Sequence, residues 1–415
     1  MTRHPTTVAA SGGRRSRRGA QGVPVVAMLM AMLIASACSA EEPRPSAGSI
    51  GTAPASTAGT TMPAGAAALE ALGEQLLTDT GATGGIVALS TAGASPTIVT
   101  VGAQATIDGT QGAPMDPAAL LHVASVTKSY VAALALVLAD EGVVDLDAPI
   151  STWIDWPDGD RITLRHLLTH TSGVGRFGDG ESPSPFLELV ARGEPVTIDE
   201  VLAAAREVPP LAEPGGTTRY GNLNYALAGA ALAAAAATPI DELLRDRVFG
   251  PAGLEGTAYP PSSPQPPQRW TAPPVGLYEP DPGVEPLATS VIPLDAWRTA
   301  LGPASGSVST VEDLLAWADQ LFRRRSLDGV DLAPMTEIGA GGYGLGVIGV
   351  GPTGDCVFDG CPPDATFDRL ALNGDFPGAS TRVLFDPATD TTLVVYLNRN
   401  ALDLDEALIG FLDGR

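Results

Sequence analysis

Ser125 and Lys128 form the clearest chemical pair in the sequence. On a helix, residues i and i+3 lie on the same face, so the lysine amine reaches the serine hydroxyl one turn back. A lysine whose pKa is lowered by burial accepts a proton from serine near neutral pH, whereas arginine stays protonated. Lys128 is the only lysine among 24 basic residues. We therefore predict that Ser125 is a nucleophile and Lys128 its base, rather than a chance pattern with an exposed lysine.

The composition limits the classes of protein and of partner. The 415 residues include 47 acidic and 24 basic ones, for a formal net charge of -23. Such a chain has no basic excess with which to neutralise phosphates, so a general nucleic-acid binder is excluded. A hydrophobic fraction of 44%, with 48 glycines and 37 prolines, is typical of a globular chain and excludes wholesale disorder or a polytopic membrane protein.

The amino-terminal residues have the pattern of an export signal. Residues 1–38 contain five arginines and no acidic residue, with an apolar run at 25–35 and small residues that end at Cys38. The run is too short to span a bilayer, since a spanning helix needs about 20 residues. This pattern predicts a lipoprotein-type signal peptide with lipidation at Cys38; the alternative is the ordinary signal peptide of a secreted protein.

Export also determines the expected location. We predict that the exported protein lies on the outer face of the bacterial cell membrane. Because the acidic body is repelled by anionic lipid, it contacts the membrane only through a lipid on Cys38. Residues 39–64 are rich in Ser, Ala, Gly, Thr and Pro and are predicted to form a flexible tether.

Two further cysteines, Cys356 and Cys361, lie five positions apart among Gly, Pro and Asp residues. In an exported protein we expect them to form a disulfide that closes a small surface loop. A redox or metal site is less favoured, because the spacing is not CxxC and no histidine lies nearby.

The hydrophobic pattern of residues 65–415 predicts an α+β fold. Strand-like runs lie near both ends of this body, and a mostly helical stretch occupies about 145–260. The pattern therefore predicts one sheet built from both ends of the chain, with an inserted helical lobe. A helix predicted over Ser125–Asp140 is apolar on nearly all sides and is expected to be buried. Ser309 and Glu312 form a capping-box pattern, which predicts the start of a further helix. The other predicted elements are helices at 66–77, 163–169, 198–208, 220–236, 239–248, 313–322 and 402–412, strands at 85–89, 97–101, 342–350, 381–385 and 391–397, and a surface loop at 258–290.

Four segments have the order and spacing of motifs in a known family. They are His122–Lys128, Arg165–Gly173, Arg219–Tyr225 and Phe376–Gly378. In these segments the chain resembles the serine hydrolases that group class C β-lactamases, DD-peptidases and related esterases. The resemblance covers about residues 65–415. It implies an antiparallel sheet flanked by helices, and a reaction that passes through an acyl-enzyme on Ser125 without a metal or organic cofactor.

The resemblance also implies roles for further residues. Tyr220 and Asn222 match the family's YxN element, in which the tyrosine relays a proton to the leaving group and the asparagine positions the lysine and a substrate carbonyl. A helix-entry turn with structural hydrogen bonds is the alternative for both residues. The family's third element aligns with Gly374, and the backbone N–H groups of Ser125 and Asp375 are expected to form the oxyanion hole.

The chain departs from the family in this third element. Family members have lysine or histidine two residues before the glycine, where this chain has Leu372. In the relatives that residue helps to hold a substrate carboxylate, and Asp375 beside the pocket is expected to repel one. A charge without its partner in such a site costs about 2–5 kcal/mol. We therefore predict a small-molecule or peptide substrate, an ester or amide, that lacks an essential carboxylate.

Other sites and functions fit the residues less well. His166 and His170 lie four positions apart on one helical face, but no third ligand falls in a known pattern with them, so no metal site is predicted. A Ser-His-Asp triad is disfavoured because the resemblance gives the role of base to Lys128. Two alternative functions stay open. One is a β-lactamase or D-alanyl-D-alanine carboxypeptidase with the same mechanism, and the other is a catalytically impaired binding protein of the cell envelope.

Overall fold

The structure is a computed structural model that describes residues 64–105, 111–178, 185–259, 294–358, 360–376, 378–401 and 404–414. The predicted signal peptide, Cys38 and all but the last residue of the predicted tether lie outside the described residues. Nearly all of the predicted loop at 258–290 lies outside them as well. What the sequence predicts for these segments stays a prediction.

The described strands form one large sheet and two small ones. In chain order they are β1 (Gly84–Thr91), β2 (Thr97–Ala105), β3 (Gln111–Pro114), β4 (Leu121–His122), β5 (Val308–Ser309), β6 (Ser326–Leu327), β7 (Val330–Asp331), β8 (Ile348–Val350), β9 (Arg369–Phe376), β10 (Ala379–Asp386) and β11 (Thr391–Leu397). The large sheet has the strand order β3-β2-β1-β11-β10-β9-β8, and every neighbouring pair is antiparallel. Strands β4 and β5 form one small sheet, and β6 and β7 form the other. The predicted α+β fold with an antiparallel sheet built from both ends of the chain is confirmed.

Helices cover both faces of the large sheet. In chain order the described α-helices are α1 (Ala64–Thr80), α2 (Thr127–Asp140), α3 (Leu164–Leu168), α4 (Pro185–Val190), α5 (Ile198–Ala205), α6 (Asn222–Ala236), α7 (Ile240–Leu244), α8 (Gly250–Ala252), α9 (Leu294–Leu301), α10 (Val311–Ala318) and α11 (Asp405–Asp413). Helices α1 and α11 pack on one face of the sheet, and α2 and α10 lie on the other. Helices α3 to α8 lie where the sequence predicts a helical lobe: α6 and α7 pack against α2, α3 and α5 pack against α6, and α4 packs against α5.

Strand β11 lies at the centre of the sheet and is buried along its whole length. Leu393 and Val395 face α1 and α11, whereas Val394 and Tyr396 face α2. A strand covered on both faces needs apolar side chains at consecutive positions rather than at alternate ones. This is why the continuous apolar run of β11 could be recognised as a strand from the sequence.

The N-terminus of α10 has a different cap from the predicted one. Thr310 has the extended backbone of an N-cap residue, and its Oγ1 accepts a hydrogen bond from the N–H of Asp313 at 3.2 Å. The predicted capping box of Ser309 and Glu312 is wrong, because Ser309 still belongs to β5, where it pairs with Leu121. The helix therefore begins one residue later than the capping pattern suggested.

No single helix among the described residues has the length and hydropathy of a membrane span. Residues Asn222–Ala236 and Ile240–Ala252 reach that length and hydropathy only as a pair, and the pair is bent by 86°. The first of these segments is α6, most of which is buried in the protein core.

A partly buried carboxyl group lies where the segment after β8 meets β9 and α11. The Oδ2 atom of Asp355 accepts a hydrogen bond from Asn373 Nδ2 at 3.1 Å, and the backbone N–H of Asp355 donates to Asp405 Oδ2 at 3.1 Å. Burial, followed by the nearby charge of Asp405, raises the pKa of Asp355 to about 6 from an ordinary value of 3.8. The folded protein therefore holds this proton at pH values where the unfolded chain has released it.

This raised pKa predicts a specific dependence of stability on pH. Because the folded state binds the Asp355 proton more tightly than the unfolded state, this group lowers the free energy of unfolding as pH rises from about 4 to about 6. We expect Asp355→Asn to remove that decrease and to be more stable than the wild type above pH 6. Urea unfolding at a series of pH values measures the difference. Asp364→Asn, which removes an exposed carboxylate from the same segment, is the control. The same pH slope in Asp355→Asn and the wild type would contradict the expectation.

Candidate active site

The predicted nucleophile and base are in direct contact. Lys128 Nζ donates a hydrogen bond to Ser125 Oγ at 2.9 Å. Ser125 lies in a 3-10 turn at Ala124–Val126, and Lys128 is the second residue of α2. The lysine side chain is buried, with an exposed fraction of 1%, whereas Ser125 is partly open to solvent. In this position a neutral amine can take the hydroxyl proton and later return it as an ammonium group.

The turn that presents Ser125 contains an unusual backbone conformation. Ala124 has a φ of +46°, in the left-handed region that non-glycine residues rarely adopt. Two hydrogen bonds hold the turn: the Ala124 N–H donates to His122 Nδ1 at 3.2 Å, and Thr127 Oγ1 donates to the Ala124 carbonyl at 2.6 Å. Strained residues persist where the surroundings over-determine them, and such sites are often functional. The sequence did not predict this feature, because alanine is not a residue that indicates a left-handed backbone.

Two further oxygens hold the lysine amine. Lys128 Nζ donates to Asn222 Oδ1 and to the carbonyl oxygen of Ala304, each at 2.9 Å. The amide of Asn222 is oriented by its other end, since Nδ2 donates to the carbonyl of Gly178 at 3.0 Å. Asn222 is the first residue of α6 and therefore projects from the end of that helix. The sequence predicted Asn222 but not Ala304. Ala304 contacts the amine through its backbone carbonyl, and its residue type gives no indication of this contact.

Tyr220 is adjacent to the amine. Its ring centroid lies 4.8 Å from Lys128 Nζ, and the side chain is partly buried. The ring also packs against His170, with centroids 4.5 Å apart, and against Phe358, with centroids 4.8 Å apart. The structure thus brings together Ser125, Lys128, Tyr220 and Asn222, which the sequence places in two separate motifs.

The two histidines that lie four positions apart have different surroundings. His166 Nδ1 accepts a hydrogen bond from the backbone N–H of Thr163, which completes the capping box of α3. His170 is fully buried, and its ring packs against the rings of Tyr220, Tyr225 and Tyr343. Burial, with a smaller contribution from the charge of Lys128, lowers the pKa of His170 well below its ordinary value. His170 is therefore a neutral packing partner of the tyrosines beside the amine.

Strand β9 passes directly over the turn that carries the nucleophile. A Cβ atom on Gly374 would lie only 2.2 Å from the carbonyl oxygen of Val123. No side chain fits at this point, so a glycine is required for the strand to approach so closely. The residue after it in β9 is Asp375, whose backbone N–H is the predicted partner of the Ser125 N–H in the oxyanion hole. That pairing stays a prediction.

The carboxylate of Asp375 does not face the nucleophile. Side chains alternate along a strand, and Leu372 and Phe376 pack in the core on the face of the sheet that carries Ser125. The Oδ1 atom of Asp375, on the opposite face, accepts hydrogen bonds from Ser380 Oγ at 2.6 Å and Arg382 Nη1 at 3.0 Å. The expectation that this carboxylate repels an acidic substrate is therefore wrong. Leu372, which aligns with the family's lysine or histidine, is an apolar core residue with an exposed fraction of 2%.

Cys356 and Cys361 form a disulfide, as predicted. The loop that it closes does not lie apart from the site. A Cβ atom on Gly342 would lie 2.8 Å from Cys361 Sγ, and Phe358 of the loop packs against Tyr220. The sequence indicated a surface loop but not its position, because the two cysteines are distant in the sequence from the YxN motif.

Known proteins resemble this chain in sequence. A family model described as Beta-lactamase matches residues 64–411. Esterase EstB of Burkholderia gladioli is 30% identical over 174 residues, which is 39% of this chain and 44% of the esterase. The D-alanyl-D-alanine-carboxypeptidase/endopeptidase AmpH of Escherichia coli is 30% identical over 153 residues, which is 35% of this chain and 38% of AmpH. The chain thus spans less than half of the length of these relatives.

Solved structures resemble this chain in fold. The D-amino acid amidase from Ochrobactrum anthropi, complexed with L-phenylalanine, superposes with a TM-score of 0.66 at 23% identity, covering 84% of this chain and 96% of the amidase. A penicillin binding protein from Bacillus halodurans superposes with a TM-score of 0.63 at 20% identity, covering 82% of this chain and 98% of that protein. At such identities the likeness concerns the fold.

The contacts of Lys128 lead to a test of its role as a base. We expect Lys128→Arg to keep the positive charge but to lose about 10²–10⁴-fold in the rate at which Ser125 attacks an electrophile, because a guanidinium group does not deprotonate. The measurement is the rate at which a fluorophosphonate labels the protein. Arg206→Lys makes the reverse exchange at an exposed position and should change nothing. A folded Lys128→Arg variant that is labelled at the wild-type rate would refute the role of the amine.

Proposed function

Because the chain belongs to the beta-lactamase family of serine hydrolases, we propose that it is an exported hydrolase that acts on an ester or amide without an essential carboxylate. The observation that supports the chemistry most directly is the hydrogen bond from Lys128 Nζ to Ser125 Oγ, with the amine held by Asn222 and Ala304. Nucleophile and base within hydrogen-bond distance, with the base itself oriented, are the arrangement that covalent catalysis requires.

The reaction has two halves. In the first, the Lys128 amine takes the proton of Ser125, and Oγ attacks the substrate carbonyl carbon. The backbone N–H groups of Ser125 and Asp375 stabilise the oxyanion. Tyr220 passes the proton to the leaving oxygen or nitrogen as that bond breaks, which leaves an acyl-enzyme on Ser125. In the second half, a water oxygen attacks the acyl carbon, the bond from that carbon to Ser125 Oγ breaks, and the same groups pass the water proton to Oγ as the carboxylic acid is released.

The third motif supports the proposed substrate class. Leu372 supplies no charge to the face of β9 that adjoins Ser125, and Asp375 on the other face forms an ion pair with Arg382. A substrate carboxylate would therefore lose its hydration without gaining the cation that relatives provide at the position of Leu372. The names of two similar proteins, an esterase and a D-amino acid amidase, agree with an ester or amide substrate.

The proposed location rests on the sequence of residues 1–64 and on one structural feature. The signal-peptide pattern ends at Cys38, which we propose as the lipid-anchored first residue of a lipoprotein on the outer face of the membrane, with secretion as the alternative. A disulfide between Cys356 and Cys361 is typical of an oxidising compartment.

A second candidate has the same mechanism and a different substrate. One relative is named a D-alanyl-D-alanine-carboxypeptidase/endopeptidase, and another a putative penicillin-binding protein of Bacillus subtilis, which is 26% identical over 145 residues. These names favour a cell-wall peptide or a β-lactam as the alternative substrate. The residue at position 372 is the feature that argues against both.

The identity of the nucleophile is tested by covalent labelling. We expect one fluorophosphonate adduct per wild-type chain by intact-mass spectrometry, and no adduct on Ser125→Ala, because that variant lacks the attacking hydroxyl. Ser151→Ala removes an exposed serine and should be labelled like the wild type. Absence of any wild-type adduct would support a binding protein instead, and an adduct on Ser125→Ala would move the reaction to another residue.

The substrate class is tested with two esters that differ in one group. In phenyl butyrate the leaving phenol is uncharged, and in 3-(butyryloxy)benzoate it carries a carboxylate, on the same side of the scissile bond as in a D-alanyl-D-alanine peptide or a β-lactam. We expect kcat/KM to be at least about tenfold lower for the benzoate, since its charge has no partner near Leu372. The background rate measured with Ser125→Ala is subtracted from each rate. Equal rates on the two esters, or faster turnover of a chromogenic cephalosporin than of phenyl butyrate, would favour the second candidate.

A further inference from the structure

The disulfide-closed loop presents an aromatic side chain beside the active site. Phe358 lies between Cys356 and Cys361, and its exposed fraction of 56% is the highest of the large apolar side chains among the described residues. Isolated exposed apolar residues are common and carry no meaning by themselves. The position of this one is what matters, because its ring packs against Tyr220.

The ring of Tyr220 lies between Phe358 and the amine of Lys128. The centroids of Phe358 and Tyr220 lie 4.8 Å apart with the rings inclined by 59°, and Lys128 Nζ lies 4.8 Å from the centroid of Tyr220. Such a tilted arrangement is a favourable geometry for two aromatic rings. In this arrangement much of the Phe358 side chain stays exposed to solvent beside Tyr220.

The loop is held in this position by the groups beneath it. Val357 is buried, with an exposed fraction of 4%, and the Gly360 N–H donates to the Cys356 carbonyl at 2.9 Å across the turn of the loop. Cys361 lies against Gly342, whose φ of +75° and lack of a side chain allow this approach. The next residue, Tyr343, packs against His170. Phe358 is therefore attached to the same aromatic cluster that supports Tyr220.

The role of Tyr220 determines which part of a substrate meets Phe358. A proton donor must lie within hydrogen-bond distance of the leaving oxygen or nitrogen when that bond breaks. The group carried by that atom then extends beside Tyr220, and an exposed ring packed on Tyr220 is available to contact it. We propose that Phe358 forms an apolar wall for the leaving group, and that the substrates are esters or amides whose leaving alcohol or amine bears an aromatic or large apolar group. This inference rests on the proposed function.

The proposal is tested with 2-phenylethyl butyrate and ethyl butyrate, which have the same acyl group. We expect Phe358→Ala to lower kcat/KM for the phenylethyl ester about tenfold, mainly through KM, and to change the ethyl ester by less than about twofold. Comparing variants on each ester cancels the difference in intrinsic reactivity between the two alcohols. Val143→Ala is the control, because Val143 is also exposed but follows the far end of α2 from Ser125.

Labelling with a fluorophosphonate separates the possible failures. Fluoride is a small leaving group, so we expect Phe358→Ala to be labelled at the wild-type rate, which also shows that the variant is folded. Equal losses on both esters, no loss on either, or a labelled wild type that does not prefer the phenylethyl ester would overturn the role of Phe358. A wild type that forms no adduct would overturn the proposed function, and the role of Phe358 with it.

Discussion

The structure of the active site depends on one buried amine and the three oxygens that surround it. Lys128 Nζ donates to Ser125, Asn222 and Ala304 over equal distances of 2.9 Å. The three acceptors belong to different parts of the chain, so the contacts are made only if α2, α6 and the 3-10 turn that contains Ala304 meet at one point. A buried amine without hydrogen-bond acceptors is costly. The need to give this amine hydrogen-bond acceptors therefore acts together with the packing of the helices to determine the geometry around Ser125.

A second constraint comes from the sheet. Strand β9 lies so close to the turn that contains Ser125 that Gly374 has no room for a side chain, and the turn itself contains Ala124 in a left-handed conformation. Close packing on both sides keeps the strained turn from relaxing. The same strand separates two environments, since Leu372 and Phe376 lie on the face of the sheet that carries Ser125, while Asp375 forms its ion pair with Arg382 on the other face. Strand β9 thus borders the turn that contains Ser125 and holds the carboxylate of Asp375 on the opposite face of the sheet.

The sequence predicted the parts of the site that depend on residue type and local spacing. The single lysine and the serine three residues before it could be found without a structure, as could the apolar run of β11. The face occupied by Asp375 could not, because it depends on the register of β9 to a single residue. The carbonyl of Ala304 carries no side-chain signal, and the contact between Phe358 and Tyr220 joins segments more than 100 positions apart. The features that the sequence did not predict are therefore features of backbone geometry and of packing between distant segments.

The pairing of β1 with β11 has a consequence for the order in which the proposed active site is assembled. The N–H of Thr83, just before β1, donates to Asn398 Oδ1 across a sequence separation of 315 residues. Contacts between such distant residues make folding slow, because a long loop must close before they form. Ser125 is synthesised early, but Asn222, Ala304 and Gly374 all follow it. An emerging chain therefore carries Ser125 before the residues that hold Lys128 have been made, and the proposed active site is complete only when the carboxyl-terminal strands have joined the sheet.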